Sequence, residues 1–307
     1  MSGFDSVLLI AFGGPEKPED IRPFLEIVSA GRRIPAERIE EVAHHYELIG
    51  GRSPLNELTR KQAEGLGLAM NREGIAAPVY VGMRNWHPFL HEALAKMRDR
   101  GHRRALGIIL SSFQTEASWE RYVADVAAAR EKVGDGVPEV AYAPPWAEHP
   151  RFLDAMVARA ADALGRVPAP ERAEALLVFT AHSVPVAMAS GSPYARQLEA
   201  ASLLIAGRLG HARWQLAYQS RSGSPRDPWL EPDISDVIRG VKGQAIEDVV
   251  VAPIGFVCDH VEVLYDLDVA ARAVAAEIGL RFCRAQAAND HPAFIAMLAD
   301  LVARGAR

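Results

Sequence analysis

The densest group of chemically capable side chains lies in "PIGFVCDHVEVLYDLD" (253–268), where Cys258, Asp259, His260, Glu262, Asp266 and Asp268 fall within eleven residues. Thiolate, imidazole and carboxylate are the side-chain donors that hold iron, zinc and related ions, so the run raises metal chemistry. Helical spacing divides the set. A helix starting near Asp259 puts Asp259, Glu262 and Asp266 at steps of three and four on one face, while His260 and Asp268 project elsewhere. Two readings of the acids stand at this point: one wall of a polar site, or Asp259 capping the helix with the other acids near its positive end. Cys258 and Cys283 are the only cysteines. Two thiols cannot supply the four ligands of an ordinary iron–sulfur cluster or an all-cysteine zinc site, so neither is expected, nor is a disulfide, and both read as small apolar fillers.

A second imidazole, His182 in "TAHSVP", ends an apolar run and precedes Pro185, which stops regular structure. It reads either as a histidine bonded to a backbone carbonyl or as a ligand at a strand end. Phe12-Gly13-Gly14-Pro15 follows the first apolar run, but neither GxGxxG nor a Walker lysine is present, so the glycines read as a tight turn. The segment "YQSRSGSPRDPWLEPD" (218–233) is long, irregular and carries Trp229 between prolines, which suits a functional loop. Ser53 in "HHYELIGGRSPLNELT" is placed to cap a helix, and Trp119 and Tyr122 in "SSFQTEASWERY" stand three apart on one helix face.

These residues need a frame. Short apolar runs at 6–12, 79–83, 105–110, 139–143, 175–181, 214–219, 248–254 and 280–284 alternate with helical-period segments near 18–29, 36–48, 55–73, 88–100, 117–132, 150–164, 192–208, 232–240, 263–277 and 291–304. Strands apolar on both faces and separated by amphipathic helices imply parallel sheets covered on both sides. The strands divide four and four around "APPWAEHP" (143–150). The expected fold is therefore α/β: two Rossmann-like halves, 1–145 and 146–307, each a four-stranded parallel sheet flanked by helices, facing across a cleft. Ligands in such sheets bind beyond the carboxyl ends of strands, which is where His182, Phe12 and the 253–268 run fall.

Composition sets outer limits. The chain has 307 residues, 49% hydrophobic and 24% charged, with net charge −5 and no basic block, so nucleic acid is not an expected partner. No apolar run nears the ~20 residues of a membrane span, and the N-terminus lacks a signal-peptide pattern, so a cytoplasmic monomer is expected.

The segments "LLIAFGGPEKPEDIRPFLEIV", "HHYELIGGRSPLNELT", "VYVGMRNWHPF", "TAHSVP", "AYQSRSGSPRDPWLEPD" and "PIGFVCDHVEVLYDLD" together resemble the ferrochelatase family, closest to its coproporphyrin III branch. The resemblance implies a class II chelatase-like fold with a porphyrin cleft between the halves, and insertion of ferrous iron, a substrate rather than a resident cofactor, into coproporphyrin III. It matches His182 and Glu262 to the family's metal-binding, catalytic pair, and Ser53 and Tyr122 to porphyrin contacts. Phe12 stands where some relatives carry a tyrosine ligand, so it is expected to pack on the macrocycle and not to bind metal. Asp266 continues a hydrophilic path from Glu262, and position 270, acidic in some relatives, is Ala270 here. Trp229 suits an apolar wall, and Arg32, with Arg33 or Arg52, a propionate partner.

Metallation must remove two pyrrole protons and exchange the hydration shell of Fe(II) for ring nitrogens. An imidazole can hold a borderline metal when neutral and accept protons near neutral pH, and an opposing carboxylate can bind the ion or relay protons. Protoporphyrin IX is the alternative porphyrin, a sirohydrochlorin-type ring taking cobalt or nickel a more distant one, and a non-catalytic tetrapyrrole or haem-binding protein the alternative class. A carrier needs aromatic walls but not a metal-delivery pair.

Overall fold

A computed structural model describes residues 3–31, 34–222 and 227–305 of the chain. The first strand, β1 (Ser6–Ala11), is buried along its whole length, as a strand covered on both faces must be. A 3₁₀ turn (Pro18–Asp20) leads into α1 (Ile21–Ser29), α2 (Ala36–Leu48) and α3 (Leu55–Arg72), followed by β2 (Val79–Met83). Then come α4 (Leu90–Asp99), β3 (Arg104–Ile109), α5 (Glu120–Val133) and β4 (Glu139–Tyr142). The four strands pair in parallel in the order β2-β1-β3-β4, with Val7 opposite both Val79 and Leu106. Parallel neighbours require crossover connections, which the helices supply.

The second unit repeats this plan. It contains α6 (Pro150–Leu164), β5 (Leu176–His182), a short α7 (Val186–Ser190), α8 (Tyr194–Leu209), β6 (Trp214–Gln219), α9 (Ile234–Gly240) and β7 (Asp248–Ala252). One turn of α10 (Val261–Val263) opens into a π-helical stretch (Leu264–Ala271), which tightens into α11 (Arg272–Glu277) before β8 (Arg281–Arg284). The sheet is again all parallel, in the order β6-β5-β7-β8. In both sheets the chain leaves the founding strand to one side and returns on the other. The points where that order reverses are the carboxyl ends of β1 and β3 in one unit and of β5 and β7 in the other, where such sheets bind ligands.

The four-and-four parallel arrangement is the one expected from the strand pattern. Several ends differ for local reasons. β7 stops at Ala252, before Pro253, which has no amide hydrogen to continue a ladder. The helix expected over 263–277 begins at Val261 and is widened in its middle. Its buried residues Val263, Leu267 and Ala271 recur every four positions, a longer step than the 3.6 of an α-helix, so an opened turn keeps them stacked on the core of β5 and β7.

One boundary changes. The sequence pattern assigned everything from 146 onward to the second half, but α12 (Pro292–Gly305) packs along α3 and belongs to the first unit, and residues 112–115 belong to the second. The apolar face of α12 (Phe294, Met297, Leu298, Leu301, Val302) is buried, and Ile295 fills the space over Gly65 on α3. Among the described residues no helix is long and apolar enough to cross a membrane.

Candidate metal centre

His182 is the last residue of β5, and its side chain is 29% exposed. Its Nδ1 donates to the Ser183 carbonyl, an acceptor only, which leaves Nε2 as the atom facing Glu262. Nε2 lies 3.5 Å from Glu262 Oε1. The strand end is held by Tyr194, whose hydroxyl donates to the His182 carbonyl at 2.9 Å.

Glu262 reaches this point because of the turn that precedes it. Gly255 donates its amide to the Thr180 carbonyl at 3.0 Å and lies so close to β5 that a Cβ there would stand 2.4 Å from Ala181 Cβ. Only glycine permits that approach. The chain then climbs through His260, whose Nδ1 accepts from the Glu262 amide at 3.2 Å and so caps α10. The capping role expected of Asp259 thus belongs to His260.

Asp259 does not share the face of Glu262 and Asp266, contrary to the helical-spacing expectation. Its buried carboxylate accepts from Arg284 Nη1 (3.0 Å), the Ala287 amide (3.2 Å) and Asn289 Nδ2 (3.0 Å). The helix begins two residues later than that spacing assumed, so Asp259 turns toward β8. Arg284, only 11% exposed, also grips Asp268 at 2.8 Å. One guanidinium therefore pins the segment carrying Glu262 and Asp266 on both sides. Cys258 is buried, and Cys283 half-buried in β8, as fillers would be.

Asp266 is brought to the site from one turn further along. Its Oδ2 accepts from the Ser220 hydroxyl and lies 3.5 Å from Gln219 Nε2. Ser220 adopts a left-handed φ of 61°, a conformation uncommon for a residue with a side chain and frequent at functional sites.

These neighbours move the acidities in opposite senses. Burial pushes the Asp266 carboxyl up to about 6, with the Glu262 charge adding to the rise and the Ser220 hydroxyl opposing it. For His182, burial favours the neutral ring, but the Glu262 carboxylate, the Ser183 carbonyl and Asp266 outweigh it and raise its pKa. For His260 burial prevails and the pKa falls, despite Glu262 and Asp259. The proton-avid imidazole is thus His182, and a metal ion would take the place of its Nε2 proton. His260 has its Nδ1 committed to the cap.

Trp229 belongs to the same unit. Its segment lies along the residues that follow His182: Leu230 donates to the Val184 carbonyl (3.0 Å), Val186 to the Pro228 carbonyl (2.9 Å), and the Ser183 hydroxyl to the Leu230 carbonyl (2.9 Å). The indole Nε1 is enclosed, and Arg221 stands 6.0 Å from the ring centroid.

The first unit gathers Phe12 and Tyr122. Phe12, just past β1, is 39% exposed and meets Phe24 edge-on at 6.4 Å. Arg84 lies over both rings, 5.9 Å from Phe12 and 4.3 Å from Tyr122, and is paired with Asp125. Tyr122 is nearly buried, packed among Leu90, Ile109 and Val126. Ser53 is buried against Gly14, where a Cβ would approach its side chain to 2.9 Å, and its hydroxyl accepts from the Leu55 amide at 3.3 Å. Arg32 lies outside the described residues.

Arg84, Gln219 and Ser220 escaped sequence reasoning. Gln219 and Ser220 sit in the strand-end loop already singled out, but a lone amide or hydroxyl carries no spacing signal. Arg84 follows β2 with no spacing signal that marks it.

The family model described as Ferrochelatase matches residues 5–306. A coproporphyrin III ferrochelatase of Mycobacterium avium (strain 104) is 44% identical over 302 residues, 97% of this chain and 87% of that protein. A ferrochelatase of Rhodopirellula baltica is 42% identical over 303 residues, 97% of this chain and 85% of that protein. Among solved structures, the sirohydrochlorin chelatase SirB from Bacillus subtilis subspecies spizizenii, in complex with cobalt, matches with a TM-score of 0.58 at 10% identity over 98% of this chain and 94% of that one. A multi-domain protein of Deinococcus radiodurans with structural similarity to chelatases gives 0.61 at 17% identity; the match covers 99% of this chain and 56% of that one. At such identities these two structures bear on the fold alone.

Proposed function

This chain belongs to the ferrochelatase family, and from that premise we propose that it inserts Fe(II) into coproporphyrin III, releasing two protons, with His182 and Glu262 as the metal-handling pair. The observation that carries the reading is the 3.5 Å approach of His182 Nε2 to Glu262 Oε1 at the carboxyl ends of β5 and β7. Two protein donors leave most of the coordination sphere of Fe(II) open, as a site must that takes in an ion and passes it to four pyrrole nitrogens. His182 supplies the borderline nitrogen ligand, and Glu262 the hard oxygen ligand and a proton acceptor.

Asp266 extends this path by one turn, its raised pKa suiting a group that takes up and releases protons near neutral pH. Phe12 supplies an apolar face for the macrocycle, Ser53 and Tyr122 its polar contacts, and Trp229 a second apolar surface beside the His182 strand end. Arg32 remains the proposed propionate partner. The relatives named for coproporphyrin III support that ring as the substrate. The cytoplasmic, monomeric state expected from the sequence accompanies this reading.

Anaerobic Fe(II) insertion by the purified protein, followed by porphyrin absorbance with coproporphyrin III and protoporphyrin IX in parallel, tests the proposal. Faster insertion into coproporphyrin III is expected. Preference for protoporphyrin IX would overturn the substrate, and a folded His182→Ala variant with the parental rate would overturn the metal pair.

A further inference from the structure

Gln219 closes β6 directly opposite His182 in the β5–β6 ladder. Its backbone carbonyl accepts from the Ser183 amide at 2.7 Å, fixing the chain as it leaves His182. Its side chain turns the other way. The residue is 1% exposed, and Nε2 donates to the Glu262 carbonyl at 2.7 Å while lying 3.5 Å from Asp266 Oδ2. Both neighbours are acceptors, so the amide nitrogen must face them.

The opposite end of the amide is informative. Gln219 Oε1 is buried and has no partner among the described residues. Enclosing an amide oxygen in this way costs about 1–3 kcal/mol, a cost that an apolar side chain of similar volume avoids. What the glutamine supplies that an apolar side chain cannot is the donor contact to the acid-bearing helix.

We infer that Gln219 is a positioning residue for metal insertion: its amide holds the first turn of the acid-bearing helix against the end of β6, keeping the Glu262 carboxylate at its reach from His182 and Asp266 one turn beyond. The residue touches neither ion nor ring. It acts through the backbone of Glu262, joining the two strand ends that carry the metal pair. This inference rests on the assignment of His182 and Glu262 made above.

The test is Gln219→Met, which keeps length and volume and removes both donors, with Gln219→Glu as a second variant that keeps shape but sets a carboxyl against two acceptors. Both are assayed for anaerobic Fe(II) insertion into coproporphyrin III, with separate KM values for iron and porphyrin and the melting temperature. The expected result is an insertion rate down by roughly ten- to a hundredfold, the range that follows from displacing a reacting group by about 1 Å. The iron KM should rise, the porphyrin KM should stay within about twofold, and the Tm of Gln219→Met should change little, because releasing the enclosed Oε1 offsets leaving the Glu262 carbonyl without its donor. Parental rates in both variants would overturn the inference. So would equal rises in both KM values, or a fall in Tm that tracks the lost activity, either of which assigns Gln219 a merely structural part. His182→Ala and Glu262→Gln run alongside: if these also keep the parental rate, it is the metal pair that fails.

Discussion

Gly255→Ala is a small change whose effect can be worked from distances. A Cβ at 255 would stand 2.4 Å from Ala181 Cβ and 2.6 Å from Ala181 Cα, while ordinary contact begins near 3.4 Å. The turn after β7 must therefore retreat from β5 by about 1 Å, and backbone on one side of the clash leaves no flexible side chain to absorb it. Ala181 immediately precedes His182, and the displaced turn leads to Glu262. A retreat of that size opens the 3.5 Å His182–Glu262 approach beyond ion-pair reach. Overpacking of this kind costs ~1–3 kcal/mol, and Tm moves about 2–4 °C per kcal/mol in domains of 150–250 residues, so the loss should show as a few degrees in thermal unfolding. The functional loss should be larger, about a hundredfold in Fe(II) insertion, because a reacting group moves by about 1 Å. Differential scanning fluorimetry and the anaerobic insertion assay on one preparation separate the two effects. An alanine variant with the parental Tm and rate would refute the argument that this close approach sets the pair.

Asp266→Asn should stabilise the protein near neutral pH. A carboxyl raised from 3.8 to about 6 costs stability when ionised, about 2–3 kcal/mol at pH 7 and above. The cost shrinks as pH falls through 6 and is gone below about 4, so urea titrations of parent and variant should converge on acidification; a constant difference across pH 4–8 would contradict this. Arg284→Met leaves Asp259 and Asp268 without their shared cation and should destabilise by ~3–5 kcal/mol, read from denaturant unfolding, with a loss under 1 kcal/mol counting against the clamp. Arg281 grips buried Asp248 with two bonds of 2.7 and 2.6 Å, so Arg281→Lys, which cannot make that fork, should lower the denaturant midpoint in the same measurement, and an unchanged midpoint would count against the fork.

Much of this protein is written in local pattern. A run such as "DVVVA" is apolar on both faces, and that property belongs to the run itself, so strands and their parallel pairing follow from composition and spacing. His182, at the end of a strand, and the 253–268 run that follows another stand out for the same reason, since doubly wound sheets bind ligands there, but the pairing of His182 with Glu262 comes from the family resemblance and not from spacing. Asp259 shows where such reasoning stops. Its spacing from Glu262 and Asp266 is that of one helix face, but the helix starts at Val261, because the His260 ring takes the cap and Arg284, 25 residues on, takes the carboxylate.

The same limit governs the supporting cast. Gln219 meets Glu262 across 43 positions, Ser220 meets Asp266 across 46, and Arg84 meets Asp125 across 41. α12 leaves the second unit for the groove along α3, although nothing in its own periodicity distinguishes it from the helices before it. A strand or helix is specified by which of its own faces sheds water, and neighbours along the chain suffice for that. A hydrogen-bond partner, a widened turn or a glycine so near another strand that a Cβ there would meet it at 2.4 Å depends on how far apart separate elements settle, and that distance exists only once their side chains have packed.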